Sequence, residues 1–230
     1  ARTDLKVMYG TCNMTKGPAM TRDEAIKGIE AGIAMAEELN AEGYRLLATG
    51  EMGIGNTTTS SAVCSVLLDQ SVEKVTGKGA GLTNKDLEHK IQVIKQSIAL
   101  NQVDAKDPLD VLSKVGGLDI AGMVGCYIGG AALQVPVFID GFISSVAALI
   151  AIRLVPECAP YLFPSHCSNE PAGHMILDAI GKQPYILANM CLGEGTGAVM
   201  GFTIADYAFK AYWELPSFEQ TNFGTYEELN

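Results

Sequence analysis

Two glutamates of this sequence lie in glycine-rich segments that are far apart along the chain. Glu51 belongs to residues 50–56 (GEMGIGN), and Glu194 belongs to residues 193–197 (GEGTG). Glycines let backbone N–H groups approach a phosphate or a ribose closely, and a neighbouring carboxylate can accept a proton or bind a hydroxyl group. A purely structural turn gains little from a glutamate at this place. We therefore predict that both glutamates are functional.

The glycine spacing matches neither of the two common nucleotide-binding fingerprints. Gly53 and Gly55 lack the third glycine of the dinucleotide-binding motif, and no lysine follows this loop as it would in a P-loop. Glycine-rich turns that bind no ligand remain an alternative interpretation. A third candidate is Asp140-Gly141, which follows an apolar run. Here the aspartate either binds a ligand or caps the end of a strand.

Short apolar runs precede these segments, and helical patterns separate the runs. The predicted helices span about residues 21–43, 56–68, 86–100, 108–115, 120–132, 144–154 and 173–180, and the predicted strands span residues 45–49, 135–139 and 185–190. Thr21 and Glu24 form a capping box at the first helix. Such alternation is typical of an α/β fold, a Rossmann-like parallel sheet flanked by helices. Ligands bind beyond the carboxyl ends of parallel strands, where the three acidic residues would lie.

The composition is typical of one globular domain and excludes two classes of partner. The chain has 230 residues, of which 48% are apolar and 18% charged. We expect one α/β nucleotide-binding domain over residues 1–230, with a peripheral tail from about residue 214. The net charge of −10 excludes the broad basic surface that nucleic acid or an anionic membrane would require. A bound phosphate group would therefore need local positive charge.

Residues 121–139 contain no charged side chain and are long enough to be considered as a membrane span. Several glycines and Pro136 interrupt the run, and Asp140 follows it directly. Strands that are covered on both faces in a parallel sheet are equally apolar. We therefore predict that this run forms a buried helix, a turn and a strand rather than a membrane helix.

The six cysteines are predicted to be free, buried thiols of a protein in a reducing cytoplasm. No pair has CxxC spacing, and a chain of this length needs no disulfide staples. His166, Cys167 and His174 would supply only three irregularly spaced ligands, so we expect neither a metal site nor a cofactor. Neither histidine has a visible partner in the sequence, which favours core or surface positions over a catalytic role.

Two segments resemble the signature loops of a known family. Residues 50–58 (GEMGIGNTT) and 192–198 (LGEGTGA) are similar to loops of the nicotinate-nucleotide:dimethylbenzimidazole phosphoribosyltransferases, which make the lower-ligand nucleotide of cobamides. Further similar segments follow in order along nearly the whole chain: residues 18–21 (PAMT), 79–82 (GAGL), 140–143 (DGFI), 165–168 (SHCS) and 170–171 (EP). The resemblance implies that the chain corresponds to the C-terminal two-thirds of that family, with its N-terminal small-domain part largely missing.

The resemblance implies transfer of phosphoribose from nicotinate mononucleotide to an aromatic base, 5,6-dimethylbenzimidazole or a related compound, giving an α-ribotide and nicotinate in cobalamin or cobamide biosynthesis. Glu194 would be the general base, and Glu51 would orient the ribose or support charge at its C1′ carbon. The phosphate and ribose would be bound by Gly53, Gly55, Asn56, Gly79, Lys90, Asp140, Gly141, Ser168, Gly193 and Gly195, and Leu192 would contact the aromatic base.

Several alternatives remain open at this stage. Without the resemblance, Lys90 is better explained as a solvated lysine on the helix after Asp86. Residues 189–191 read NMC where the family has Asp-Met-Arg. The identity of the accepted base is therefore open, and a relative that uses phenols is one alternative. The resemblance implies a homodimer in the cytoplasm with small-molecule substrates. The alternative function is that of a non-catalytic nucleotide-binding or partner subunit.

Overall fold

A short parallel sheet lies among helices in the computed structural model, which describes residues 5–79 and 81–221. The strands are β1 (Leu47–Ala48), β2 (Val137–Ile139) and β3 (Leu162–Pro164), hydrogen-bonded in the order β1-β2-β3. The helices are α1 (Arg22–Ala41), α2 (Thr57–Leu68), α3 (Val72–Val75), α4 (Asn84–Asn101), α5 (Pro108–Val115), α6 (Leu118–Ala132), α7 (Phe142–Leu154), α8 (Gly173–Ala179), α9 (Thr196–Glu214) and α10 (Phe218–Thr221). The predicted fold class, an α/β fold with a parallel sheet flanked by helices, is confirmed.

The helix ends follow from capping residues in the sequence. The Thr21 hydroxyl accepts the Glu24 N–H, and the Glu24 carboxylate accepts the Thr21 N–H, which is the predicted capping box of α1. Asp107 caps α5 by accepting the N–H groups of its first turn, with Pro108 at the first helical position. Each of the seven predicted helices occurs close to its predicted bounds.

Helices α1 and α6 pack backbone to backbone through glycines. A Cβ on Gly32 would lie 2.0 Å from the Gly122 carbonyl oxygen, and one on Gly125 would lie 1.9 Å from the Ile29 carbonyl oxygen. No other residue fits at either place without moving a helix. The glycine-rich part of α6 therefore packs within the chain.

The apolar run of residues 121–139 is divided between α6, a turn and β2, as predicted. All three residues of β2 are buried, and helix α7, which follows, is buried along most of its length. Strand β2 pairs on both sides, with β1 and with β3, which explains its apolar composition. Within the described ranges, no helix combines the length and apolar character needed to cross a membrane.

One predicted strand in the second half of the chain was wrong, and two elements were not predicted. Residues 185–190 form no strand, because only Ile186 bridges to the sheet, through His166. The third strand is β3, which was not predicted because prolines lie in and around it. Proline lacks the N–H that strand pairing uses. Helix α9 was not predicted, because most of its apolar side chains are exposed rather than aligned on one buried face.

The six cysteines are unpaired, but they are not all buried. Cys64, Cys158 and Cys167 are buried, whereas Cys12 and Cys191 are exposed. Burial raises the pKa of the Cys64 thiol to about 12, which keeps that thiol protonated. Of the predicted peripheral tail, Leu215 and Phe218 are exposed, and residues 222–230 lie outside the described residues.

Candidate active site

The carboxyl ends of the three strands open into one cavity of about 170 Å³. Glu51 follows β1, Asp140 follows β2, and His166 follows β3, and all three line the cavity. This is the edge of a parallel sheet at which ligands bind. The predicted site residues in the cavity wall are Glu51, Gly53, Gly79, Asp140, Gly141, Ser168, Leu192 and Gly193. The cavity therefore joins segments that are distant in the sequence.

The two glutamate loops contact each other directly beside this cavity. The Glu194 N–H donates to the Glu51 carbonyl oxygen over 2.9 Å. Glu194 has a φ of +58°, and its neighbours Gly193 and Gly195 have φ values of +75° and +81°. This left-handed conformation costs a residue with a Cβ about 1–2 kcal/mol, so the surrounding contacts must hold it. The Glu194 side chain is exposed, next to the lining residues Leu192 and Gly193.

Asp140 is the contact that holds the Glu194 loop. Its Oδ2 accepts the Gly195 N–H over 2.9 Å, and its Oδ1 accepts the N–H groups of Gly197 at 2.8 Å and Ala198 at 3.2 Å. These N–H groups at the start of α9 have no partner within the helix, so Asp140 caps α9 from its position directly after β2. Asp140 thus has a structural role, and its role in ribose binding stays a prediction.

The Glu51 carboxylate is fixed by its own loop. Its Oε2 accepts the Gly53 N–H over 2.5 Å, and Gly53 has a φ of +79° that favours glycine. Two predicted site residues of the same loop lie outside the cavity wall. Gly55 is exposed, and Asn56 donates from Nδ2 to Asp119 Oδ2 over 2.7 Å. Burial raises the pKa of the Asp119 carboxyl group, and the nearby charge of Glu51 adds to that effect.

The end of the cavity that Thr57 and Gly79 form has a buried lysine behind its wall. Lys90 donates from Nζ to Thr57 Oγ1 over 2.9 Å and to the Gly77 carbonyl oxygen over 3.0 Å. Thr57 and Gly79 line the cavity, so the ammonium group lies just behind its wall. Burial lowers the pKa of Lys90, and the negative charge of Glu170 opposes that shift. The interpretation of Lys90 as a solvated surface lysine is wrong.

A carboxyl group that the sequence did not single out lies at this end. Glu170 lines the cavity and accepts the Gly79 N–H, and its Oε2 is buried without a partner among the described residues. Burial raises the pKa of Glu170, and the positive charge of Lys90 opposes that shift. The Lys90 ammonium, the Gly79 N–H, the Ser168 hydroxyl and the Glu170 carboxyl group together make this end of the cavity polar.

Comparisons with known proteins agree with this arrangement. A family model described as a phosphoribosyltransferase matches residues 1–223. The chain belongs to this family. It is 52% identical over 222 residues to the nicotinate-nucleotide–dimethylbenzimidazole phosphoribosyltransferase of Acetivibrio thermocellus, covering 96% of this chain and 63% of that protein. The same enzyme of Ruminiclostridium cellulolyticum is also 52% identical, over 224 residues, covering 97% of this chain and 64% of the relative.

A solved structure of the phosphoribosyltransferase family has the same fold. The crystal structure of CobT from Thermus thermophilus superposes with a TM-score of 0.89 at 35% identity, covering 95% of this chain and 65% of that one. The chain thus spans less than two-thirds of the length of these relatives. The predicted membership of the family is confirmed.

His166 is another lining residue for which no functional role was predicted from the sequence. Its side chain is 1% exposed, so the core position is confirmed, yet the ring also forms part of the cavity wall. Burial lowers the pKa of His166, and the charge of Asp140 opposes that shift. The signal available in the sequence was its position in residues 165–168, two residues before the predicted phosphate ligand Ser168. Within the described part of the chain, no three His, Cys, Asp or Glu side chains are grouped to hold a metal ion.

Proposed function

We propose that this chain catalyses transfer of phosphoribose from nicotinate mononucleotide to an aromatic base such as 5,6-dimethylbenzimidazole. The observation that carries the proposal is the contact between the two glutamate loops, through the Glu194 N–H and the Glu51 carbonyl oxygen, at the rim of one cavity. The relatives that share about half of the sequence are named for this reaction. The proposed catalytic unit is the single α/β domain.

The reaction forms one C–N bond and breaks another at C1′ of the ribose. A ring nitrogen of the incoming base attacks C1′, and the C1′–N bond to nicotinate breaks. The bonding electron pair passes to the pyridinium nitrogen and neutralises its positive charge, which makes nicotinate a good leaving group. The N–H proton of the incoming base passes to the Glu194 carboxylate. General-base catalysis of this kind contributes about 10²- to 10⁴-fold to a rate.

Glu51 is proposed to stabilise the positive charge that develops at C1′ in the transition state. Support comes from its carboxylate, which lies in the cavity wall and is held by the Gly53 N–H. A carboxylate that is already oriented needs no rearrangement when the charge develops. Leu192, in the loop of Glu194, is 64% exposed and lines the same cavity, which supports contact with an aromatic base.

The 5′-phosphate is proposed to bind at the end formed by Gly79, Ser168 and Lys90. The chain carries a net charge of −10, so the phosphate needs a local source of positive potential. The buried Lys90 ammonium supplies it, supported by its contact with the lining residue Thr57. Glu170 competes for the same donors, so its carboxyl group must be protonated or move when a phosphate enters.

We also propose that the enzyme is a homodimer in the cytoplasm. Helix α9 carries exposed apolar side chains that a second copy would cover, among them Val199, Tyr207, Phe209 and Trp213. Trp213, for example, is 77% exposed. Unpaired cysteines support a reducing compartment.

The test is incubation of the protein with nicotinate mononucleotide and either a benzimidazole or a phenol, followed by assay of nicotinate and of the α-ribotide. Equal amounts of both products support the proposal, and the accepted base defines the specificity. Binding of the nucleotide without turnover, unchanged in Glu194→Gln, would favour a non-catalytic nucleotide-binding or partner subunit instead.

A further inference from the structure

His166 occupies a constrained position that the proposed reaction has not used. Its ring is 1% exposed and packs against glycine: a Cβ on Gly197 would lie 2.0 Å from His166 Nδ1. On the other side, a Cβ on Gly141 would lie 3.8 Å from His166 Nε2 and 4.0 Å from the Cα atom of Gly193. The ring therefore contacts Gly197, in the first turn of α9, through Nδ1, and has Nε2 towards Gly141, which lines the cavity.

The hydrogen bonds of Ser165 determine which ring nitrogen carries the proton. Ser165 Oγ lies 2.7 Å from the Ile139 carbonyl oxygen, and two oxygens approach so closely only with a proton between them. A hydroxyl group has one proton, which is thus donated to Ile139. The contact of 3.0 Å between Ser165 Oγ and His166 Nδ1 therefore requires Nδ1–H as the donor. Asp140 Oδ1, at 4.0 Å from Nδ1, favours the same arrangement.

The neutral ring consequently presents the lone pair of Nε2 as a hydrogen-bond acceptor. Among the described residues, the side-chain contacts of the ring with Ser165 and Asp140 both involve Nδ1 rather than Nε2. Nε2 is not among the fully buried side-chain atoms that lack a partner, so it faces the cavity that the ring lines. A ligand that covers Nε2 without supplying a donor would leave this acceptor unsatisfied, so a ligand that supplies one gains affinity here. Burial also favours the neutral ring, because it lowers the pKa of His166.

The chemistry of the nucleotide limits which of its groups can be that donor. The carboxylate of nicotinate and a fully ionised phosphate group accept hydrogen bonds, and the pyridinium nitrogen has no proton. The 2′- and 3′-hydroxyl groups of the ribose are then its donors. The position of His166 agrees with this assignment. The ribose links the 5′-phosphate, which is proposed to bind at Ser168, to the reacting bond at C1′, which is proposed to lie at the Glu194 loop. His166 is two residues from Ser168, and a Cβ on Gly141 would contact both His166 Nε2 and the Gly193 Cα atom, so the ring is close to both places.

We propose that His166 Nε2 accepts a hydrogen bond from a ribose hydroxyl group of the nucleotide and selects ribonucleotides over deoxyribonucleotides. This inference rests on the proposed function, because it assigns a role within the same site. The Ser165 hydroxyl, through Nδ1, holds the ring in the orientation that this contact needs.

Calorimetric titration of the chain with nicotinate mononucleotide and with its 2′-deoxy and 3′-deoxy analogues tests the proposal. One analogue should bind about 5- to 100-fold more weakly than the ribonucleotide, which is the effect of leaving a buried acceptor without its donor. In His166→Phe the ribonucleotide should bind as weakly as that analogue, and the difference between the two ligands should disappear. His166→Gln, whose side-chain oxygen can replace Nε2, should keep part of the difference.

His174→Phe is the matched control, because His174 is exposed on α8, and it should keep the full difference between the ligands. An equal preference for the ribonucleotide in the unsubstituted chain and in both His166 variants overturns the proposal, as does an unsubstituted chain that binds all three ligands equally. If His166→Phe does not fold, the ligand series on the unsubstituted chain and on His166→Gln still decides.

Nitrogen NMR of the His166 ring gives a second test that does not depend on a variant. The free protein should show a protonated Nδ1 and an unprotonated Nε2, and the nucleotide should shift the Nε2 resonance. A protonated Nε2 in the neutral ring overturns the inference. Binding that discriminates without any turnover contradicts the proposed function and leaves the assignment of His166 intact. Turnover without discrimination contradicts the assignment of His166 and leaves the proposed function intact. An absence of nucleotide binding contradicts both.

Discussion

The backbone N–H of Glu194 donates to the backbone carbonyl oxygen of Glu51 over 2.9 Å, which joins the loop after β1 to the loop before α9. The contact is made by backbone atoms, so it leaves both carboxylates available for chemistry. The rest of the loop is held by Asp140, through three backbone N–H groups. The position of the proposed general base therefore depends on Asp140, which follows strand β2 and is distant in the sequence.

Asp140→Ala should release the Glu194 loop. Hydrogen bonds to a charged acceptor each contribute about 1.5–3 kcal/mol, so we expect a loss of at least about 2 kcal/mol in the free energy of unfolding, measured in urea. Hydrogen exchange at the Gly197 and Ala198 amides should also become faster. Asp178→Ala, an exposed substitution on α8, is the control. Unchanged protection of these amides would show that the loop is held by other contacts.

Lys90→Met should weaken binding of the nucleotide through its phosphate. Lys90 contributes a buried positive charge, and loss of a charged hydrogen bond corresponds to about 10- to 100-fold in affinity. Nicotinate riboside, which has no phosphate group, should bind both proteins equally. Lys85→Met replaces an exposed lysine of the same helix and serves as the control. Equal weakening for the riboside would place the effect of Lys90 away from the phosphate.

Gly197→Ala should destabilise the protein, because its Cβ would lie 2.0 Å from His166 Nδ1 in a buried place. Overpacking of this kind costs about 1–3 kcal/mol. The matched control is Gly122→Ala, because a Cβ on Gly122 would contact nothing within 4 Å. Since alanine favours a helix over glycine by up to about 1 kcal/mol, the control should be neutral or stabilising. Denaturation in urea measures the free energy of unfolding of both variants. Equal free energies of unfolding would refute the contact with His166.

Asp119→Asn should change how stability depends on pH. Burial raises the pKa of Asp119 above its ordinary value of 3.8, so the folded state holds the proton more tightly than the unfolded state does. The contribution of Asp119 to the stability of the unsubstituted protein is therefore greatest at low pH. It decreases as the pH rises through the pKa that Asp119 has in the folded state. The variant, which cannot ionise, should melt at a higher temperature at pH 7, with the difference shrinking towards pH 3. A difference independent of pH would exclude burial of this charge as the cause.

Local signals made much of the fold predictable. The capping box of Thr21 and Glu24, and Pro108 after Asp107, mark the starts of α1 and α5 through contacts within one turn. Strand β3 and helix α9 could not be predicted in this way. The pairing of β3 with β2 is set by distant residues, and the exposed apolar side chains of α9 give no clear buried face.

The candidate site was predictable in its loops and less so in its contacts. Glu51 and Glu194 stood out because of their glycine neighbours. The burial of Lys90, the cap that Asp140 provides for α9 and the cavity position of His166 all depend on long-range packing. A single sequence contains no signal for the tautomer of His166, because the Ser165 and Ile139 contacts that fix it arise only in the folded sheet.

The most direct test of the account is the effect of Glu194→Gln on turnover and on nucleotide affinity, measured on the same protein. If the Glu194 carboxylate takes the proton of the incoming base, release of nicotinate should slow by about 10²- to 10⁴-fold. The dissociation constant of nicotinate mononucleotide should stay within about twofold of its value for the unsubstituted chain, because the incoming aromatic base is not part of that ligand. Glu214→Gln, at the exposed end of α9, should behave as the unsubstituted chain does. Undiminished turnover in Glu194→Gln would contradict the account.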